Sequence, residues 1–263
     1  MSRLSVTILT FNEEQRIAAC IESVREIADE IIVVDSLSTD RTVEICRQYG
    51  CRISSREFGG YGAMRQYATS LATNSYVLSI DADEEVSDEM RASIKRLKEE
   101  GFTHRVYAVN RLNFYCGYPV RHCGWYPDMQ IRLFDKRYAN WNLRDISERV
   151  IFRDSVNPEP IAGDLLHYQC ATPQEYRDTQ MRHAAIRARV LAVHEPSISA
   201  VTPLLRGVAA FMSTYIKKGG WLDGTVGRNI SYEQYVAVRQ SYLLARRLQR
   251  PDHREAVAST EKS

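Results

Sequence analysis

Four β-rich runs in the first hundred residues, "LSVTILTF", "EIIVVDS", "CRISSRE" and "YVLSIDADEE", are separated each time by one helix-like stretch. No other feature constrains the fold as much. Parallel strands need a crossover, most often a helix, so a β-α-β-α-β-α-β series predicts an α/β protein with a mostly parallel open sheet flanked by helices. "EIIVVDS" is apolar on both faces, as a strand covered on both sides should be. "NEEQRIAACIESVRE" reads as a helix with Asn12 as N-cap and Ile17, Cys20, Ile21 and Val24 on one face. "STDRTVEICRQYG" reads as a second, capped by Ser38 or Thr39 and stopped at Gly50. "GAMRQYATSLAT" is a third, and "SDEMRASIKRLKEEG" a fourth with acids at its start and Gly101 at its end.

In such sheets ligands bind beyond the carboxyl ends of the strands. That rule gathers three loops: Thr10-Phe11-Asn12-Glu13, Asp35-Ser36-Leu37-Ser38, and Asp81-Ala82-Asp83. The last opens a run of four acids, Asp81, Asp83, Glu84 and Glu85, directly behind an apolar strand. Crowded carboxylates repel and are poorly solvated at a buried strand end, so something positive belongs there. Mg²⁺ or Mn²⁺ suits such a pair, because hard cations take carboxylate oxygens and share their other positions with water and substrate phosphates. "FGGYGAMRQ" supplies glycines entering a helix and Arg65 in its first turns, a place for phosphate. Neither GxxxxGK[ST] nor GxGxxG occurs, which removes P-loop and dinucleotide-fingerprint enzymes. A phosphatase with a nucleophilic DxD would carry it after the first strand, and here that strand runs into Thr10-Phe11-Asn12-Glu13.

Residues 106–152 change texture, to strands and aromatic turns that predict an antiparallel extension of the sheet, and "EPIAGDLLHYQC" adds a short segment. Beyond Pro173 the pattern is helical, at about 175–194, 201–217 and 230–249, broken by Pro196, Pro203 and Gly219-Gly220. The expected organisation is a catalytic domain over 1–170, a basic amphipathic helical extension over 171–250 and a disordered tail over 251–263. The extension holds twelve Arg or Lys against five Asp or Glu, which points to an anionic partner. Nucleic acid is not expected, for charge without a motif does not make a nucleic-acid binder.

No run approaches the roughly 20 apolar residues of a membrane span, and Met1-Ser2-Arg3-Leu4 leads straight into a strand, so no leader is expected. In "AVTPLLRGVAAFMSTYIKKGG" a broad apolar face beside Arg206, Lys217 and Lys218 can lie in a membrane interface or pack on protein. The six scattered cysteines predict a reduced, cytoplasmic chain, and Cys116, His122 and Cys123 lack the second pair a zinc site needs.

The blocks "VTILTFNEE", "EIIVVDSLSTDRTVEI", "GYGAMRQYA" and "SIDADEE" resemble those of family 2 glycosyltransferases with the GT-A nucleotide-diphospho-sugar transferase fold. "HCGWYPDMQIRLFDK", "ISERV", "DLLHY" and "GGWLDG" resemble more narrowly the lipopolysaccharide-core β-glucosyltransferase group, the likeness spanning roughly residues 3–245. The resemblance implies inverting transfer of a sugar from a nucleotide-diphosphate donor, a UDP-hexose, to a glycan or glycolipid acceptor at the inner face of the cytoplasmic membrane. A polyprenyl-linked glycan or a protein acceptor, or a module that binds sugar nucleotide without turnover, are the alternatives. It implies that Thr10, Phe11, Asn12 and Glu13 line the nucleoside pocket, that Asp35 meets base or ribose, and that Arg65 meets the diphosphate or the acidic loop. Asp83, helped by Asp81, would hold the metal, with His167 completing the site or touching phosphate.

Inversion by direct displacement also needs a general base on the acceptor hydroxyl. The family's His-Glu block reads Ser147-Glu148 here, so Glu148 is the expected base, with Asp128 and Asp145 behind it. Tyr115, Tyr118, Trp125 and Tyr126 offer ring faces either to an acceptor sugar or to the core. Arg121, His122 and Arg132 stand beside them in sequence as contacts for acceptor phosphates.

Overall fold

The structure is a computed structural model and describes residues 2–143, 148–152, 157–195 and 197–249. Asp145, Ser147, Pro196 and the tail from Pro251 lie outside the described residues. The chain divides into two compact units, Met1–Leu112 with Pro127–His167, and Asn113–Tyr126 with Tyr168–Ser263.

In the first unit β1 (Leu4–Thr10), β2 (Glu30–Asp35), β3 (Arg52–Ser55) and β4 (Tyr76–Asp81) alternate with α1 (Ile17–Val24), α2 (Thr42–Gln48) and α3 (Tyr61–Leu71). Then come β5 (Glu84–Val86), α4 (Asp88–Glu100) and β6 (Val106–Tyr115), whose end runs into the second unit with β7 (Tyr118–Pro119). β8 (Met129–Asp135), β9 (Ala139–Trp141), β10 (Val150–Phe152) and β11 (Glu159–Cys170) follow. The main sheet runs β3-β2-β1-β4-β8-β6-β11-β5. β3, β2, β1 and β4 are parallel, while β8 adds antiparallel to β4, β6 to β8, and β5 to β11.

The parallel strands are apolar on both faces because both are covered. Leu4, Val6 and Ile8 pack under Ile17, Cys20, Ile21 and Val24 of α1 and Met90 and Ile94 of α4. On the other face Val34 meets Met64 and Ala68 of α3. The chain steps outward from β1 to β3 and returns to β4 on the far side of β1. That reversal makes the carboxyl ends of β1 and β4 a topological switch point, where sheets of this kind bind ligands.

Two helices begin later than their caps predict. α1 starts at Ile17, and Asn12, at φ 54°, uses its side chain on the Thr39 N–H at 2.8 Å. α2 starts at Thr42 because the Ser38 hydroxyl accepts from the Asn12 N–H at 2.8 Å. These polar side chains lace two loops together and are unavailable as helix caps. α4 does follow its signals: the Ser87 hydroxyl accepts from the Met90 N–H, and Gly101 ends it at φ 91°.

Gly163 of β11 lies at φ 94°, where a Cβ would fall 2.2 Å from the Met90 backbone nitrogen. Only a glycine lets the strand pass the start of α4 so closely. Gly163→Ala is expected to cost about 2–4 kcal/mol, measured as a lower urea midpoint at unchanged slope.

In the second unit α5 (Pro173–His194) and α7 (Gly224–Leu248) are long helices, with α6 (Thr202–Met212) between them. A π-helical stretch, Ser213–Lys217, and a 3-10 turn, Gly220–Asp223, join α6 to α7. The Thr172 hydroxyl caps α5 by accepting from the Glu175 N–H, and Glu175 returns the favour to the Ala171 N–H at 2.8 Å. Arg177 grips Glu233 of α7 through Nε at 3.1 Å to each carboxylate oxygen. No described helix is long and apolar enough to cross a membrane.

Candidate active site

The acids behind β4 alternate in exposure. Ala82, Glu84 and Val86 are buried, while Asp81, Asp83 and Glu85 are half-buried. The period of two continues because β5 is a strand, paired antiparallel to β11 with Glu84 opposite His167. That register brings His167, far off in sequence, to the acidic turn, its Nε2 3.3 Å from Asp83 Oδ2. The turn is pinned by the Ala82 N–H donating to the Leu9 carbonyl and by the Asp81 N–H donating to Glu84 Oε2, both at 3.0 Å.

Much of the positive charge these acids need comes from three arginines of the chain itself. Arg65, 2% exposed, donates from Nη2 to Asp81 Oδ2 at 2.6 Å and from Nε to Glu148 Oε1 at 3.3 Å. Its guanidinium lies 4.8 Å from the centre of the Trp141 ring. Arg132 donates from Nη2 to Glu84 Oε1 at 2.9 Å and approaches Asp81 Oδ2 at 3.5 Å. Arg111 spans Glu84, at 3.5 Å, and Asp128, at 2.8 Å. Burial alone would raise the Asp81 carboxyl, but the charges of Arg65 and Arg132 outweigh it and hold the group down to about 2. Burial likewise opposes a charge on His167, yet the hydrogen bond and charge of Asp83 raise it.

Two of the expected site residues are engaged by neighbouring side chains of the protein. Arg132 is 4% exposed and turned inward to carboxylates, where it braces the acidic turn. Asp81 Oδ2 is engaged by guanidiniums, while Asp83 Oδ2 faces His167 Nε2. Among the described residues no group of three His, Cys, Asp or Glu is arranged around one point as a metal cage. Two protein ligands still fit Mg²⁺ or Mn²⁺, which commonly uses one or two carboxylates with substrate phosphates and water. Asp81, Asp83, Glu84, Asp128 and Glu148 set five carboxylates against three guanidiniums and the His167 imidazole.

Of the expected nucleoside-pocket residues, Thr10 is buried and Phe11 is 56% exposed. Asn12 and Glu13 tie their N–H groups to Ser38 and Thr42, each at 2.8 Å. Asp35, 1% exposed, accepts from the Ser38 N–H and so holds the loop that displays Leu37, half exposed at φ 64°. The loops after β1 and β2 are therefore one laced unit.

Asp128 is committed through Oδ2 to Arg111 and through Oδ1 to Gln130 at 2.6 Å, whereas Glu148, its side chain 21% exposed, accepts from Arg65 Nε at 3.3 Å. Trp125 and Tyr126 belong to the second unit, where Trp125 packs 5.7 Å from Tyr176 and Arg121 lies over Tyr126. His122, in the same unit, pairs through Nδ1 with buried Asp223 at 3.0 Å. The sequence assigned Glu84 no role beyond membership of the acidic run and did not single out Arg111. Their signal was the continued alternation past Asp81, which buries Glu84 and so demands cations from neighbouring strands.

The sequence matches the family described as Glycosyl transferase family 2 over residues 5–157. An uncharacterized glycosyltransferase of Rickettsia typhi, RT0209, is 37% identical over 150 residues, 54% of this chain and 49% of that protein. The chain thus spans about half the length of this curated relative. The lipopolysaccharide core biosynthesis glycosyltransferase LpsC of Rhizobium meliloti is 25% identical over 239 residues, covering 85% of this chain and 84% of that protein. Among solved structures, glucosyl-3-phosphoglycerate synthase from Mycobacterium tuberculosis, in complex with Mn²⁺, UDP and glucosyl-3-phosphoglycerate, is 25% identical at a TM-score of 0.35. That superposition covers 43% of this chain and 44% of the other, too little to carry site residues across. With more than half of its length matched, the chain belongs to glycosyl transferase family 2, and its mixed α/β sheet with flanking helices is the GT-A fold.

Proposed function

We propose that the chain transfers a hexose from a UDP-sugar to a glycan acceptor such as a lipopolysaccharide core, with inversion at the anomeric carbon. The observation that carries this reading is the Asp83–His167 pair, set behind the end of β4 by a turn that buried arginines pair with. A divalent cation on that pair would neutralise charge on the departing diphosphate. Phe11 and Leu37, both exposed on the laced loops, offer apolar surface to the base, and Asp35 keeps that loop in place.

Glu148 acts as general base: it takes the proton of the acceptor hydroxyl as that oxygen bonds to the anomeric carbon and the bond to the diphosphate breaks. Asp128, held on both oxygens, is the weaker candidate. Residues 1–170 would carry this chemistry, and Trp125 and Tyr126 would stack against acceptor sugar. We put the reaction at the inner face of the cytoplasmic membrane, where a nucleotide-activated donor can meet a lipid-linked acceptor, with the helical region 171–250 as the peripheral contact.

Calorimetric titration with UDP, with and without Mn²⁺, tests the donor site. Binding is expected to require the metal, and Asp83→Ala to weaken it at least about 100-fold. Folded protein that binds no nucleoside diphosphate in the presence of metal would overturn the reading.

A further inference from the structure

Helix α6 is packed inside out. Pro203 and Gly207 are its buried positions, and Thr214 continues that line into the π-helical stretch. The large apolar side chains face the other way: Leu204, Leu205, Val208, Met212 and Ile216 are 46–63% exposed. A surface helix ordinarily does the reverse, hiding its apolar stripe and showing polar residues. Gly207 explains how the helix is held, since a Cβ there would fall 2.9 Å from the Tyr235 ring of α7. Close backbone approach at a glycine fixes α6 on α7 without using its leucines.

The same chain continues the exposed series to Trp221 and Leu222, 57% and 52% exposed, on the 3-10 turn before α7. Asp223 anchors this turn by accepting from the His122 backbone N–H at 3.0 Å and pairing with its ring. The display is therefore rigid. Charge says what covers it. From residue 196 to residue 222 the sequence has no carboxylate, while Arg206, Lys217 and Lys218 are all present and exposed. Exposed aliphatics, a tryptophan and cations with no acid among them match a bilayer interface with anionic headgroups.

We infer that Leu204, Leu205, Val208, Met212, Ile216 and Trp221 form the surface by which this protein sits on an anionic lipid bilayer, with Lys217 and Lys218 at the headgroups. This gives the membrane contact proposed above a definite surface, and it does not depend on the donor site.

The test is co-sedimentation of the full chain with phosphatidylethanolamine vesicles containing one part in four phosphatidylglycerol. Leu205→Glu/Ile216→Glu, changed only at exposed positions, is expected to lower the partition coefficient at least about tenfold. Lys217→Gln/Lys218→Gln should lower it about tenfold on these vesicles and leave the weak binding to phosphatidylcholine unchanged. Circular dichroism and UDP binding in each variant check that fold and donor site are intact, so loss of donor binding in the wild type would indict the function and not this surface. Unchanged partitioning of Leu205→Glu/Ile216→Glu would overturn the inference. So would a wild-type dimer that this variant converts to monomer while vesicles bind neither protein, because a second copy would then be the occupant.

Discussion

Glu148→Gln is expected to bind donor within about threefold of wild type and to lose turnover by roughly 10²–10⁴. The substitution keeps the size and one acceptor oxygen of the side chain, so the contact with Arg65 Nε, 3.3 Å in the wild type, can persist. What it removes is the capacity to take a proton. Arg65 makes the expectation specific, because the same guanidinium holds Asp81 at 2.6 Å and stacks near Trp141. A variant that disturbed Arg65 would shift the acidic turn and weaken donor binding as well; an isosteric change should not. The measurement is UDP release with a core-oligosaccharide acceptor, read beside the UDP affinity. Asp128→Asn supplies the contrast. Both oxygens of Asp128 are spoken for, by Arg111 and Gln130, so its loss should lower stability while kcat changes less than about tenfold. If Asp128→Asn stops turnover and Glu148→Gln does not, the two residues exchange roles.

The parallel half of the sheet was legible in the sequence because each element there declares itself locally. Strands covered on both faces must be apolar throughout, and helices such as α4 carry their own cap and stop, Ser87 and Gly101. The strand-end rule then located the loops after β1, β2 and β4 without any side-chain geometry. The antiparallel extension from residue 106 was also legible in kind. Its partners were not, since nothing in "DLLHY" says that His167 will lie opposite Glu84. Helix starts were misplaced for a physical reason: Asn12, Ser38 and Thr39 have the chemistry of caps, and tertiary structure spends it on lacing two loops. The roles inside the site were the least legible. An arginine in a strand reads the same whether it faces solvent, a ligand or a buried acid. "QIRLF" held the hint, for Arg132 sits between Ile131 and Leu133, and the apolar flanks mark a strand with little contact with water.

That buried arginine should dominate stability. Arg132→Met is expected to destabilise the protein by about 3–5 kcal/mol, the usual cost of leaving one member of a buried pair uncompensated. Glu84 is fully buried, and Arg132 at 2.9 Å is its nearest guanidinium, with Arg111 more distant at 3.5 Å. Methionine fills much of the space but supplies no charge, so desolvation of the glutamate is no longer offset. At about 2–4 °C per kcal/mol for a chain of this size, the melting temperature should fall by roughly 10 °C. Glu84→Gln in the Arg132→Met background should restore part of the loss, with a coupling of about 1–3 kcal/mol in the double-mutant cycle. Removing the acid removes the charge that was stranded. A role at the acceptor makes the opposite forecast: unchanged unfolding and a raised KM for acceptor. Arg132→Met within about 0.5 kcal/mol of wild type in urea would therefore return Arg132 to the acceptor side, and the expected large loss would fix it as the counter-ion on which the acidic turn is built.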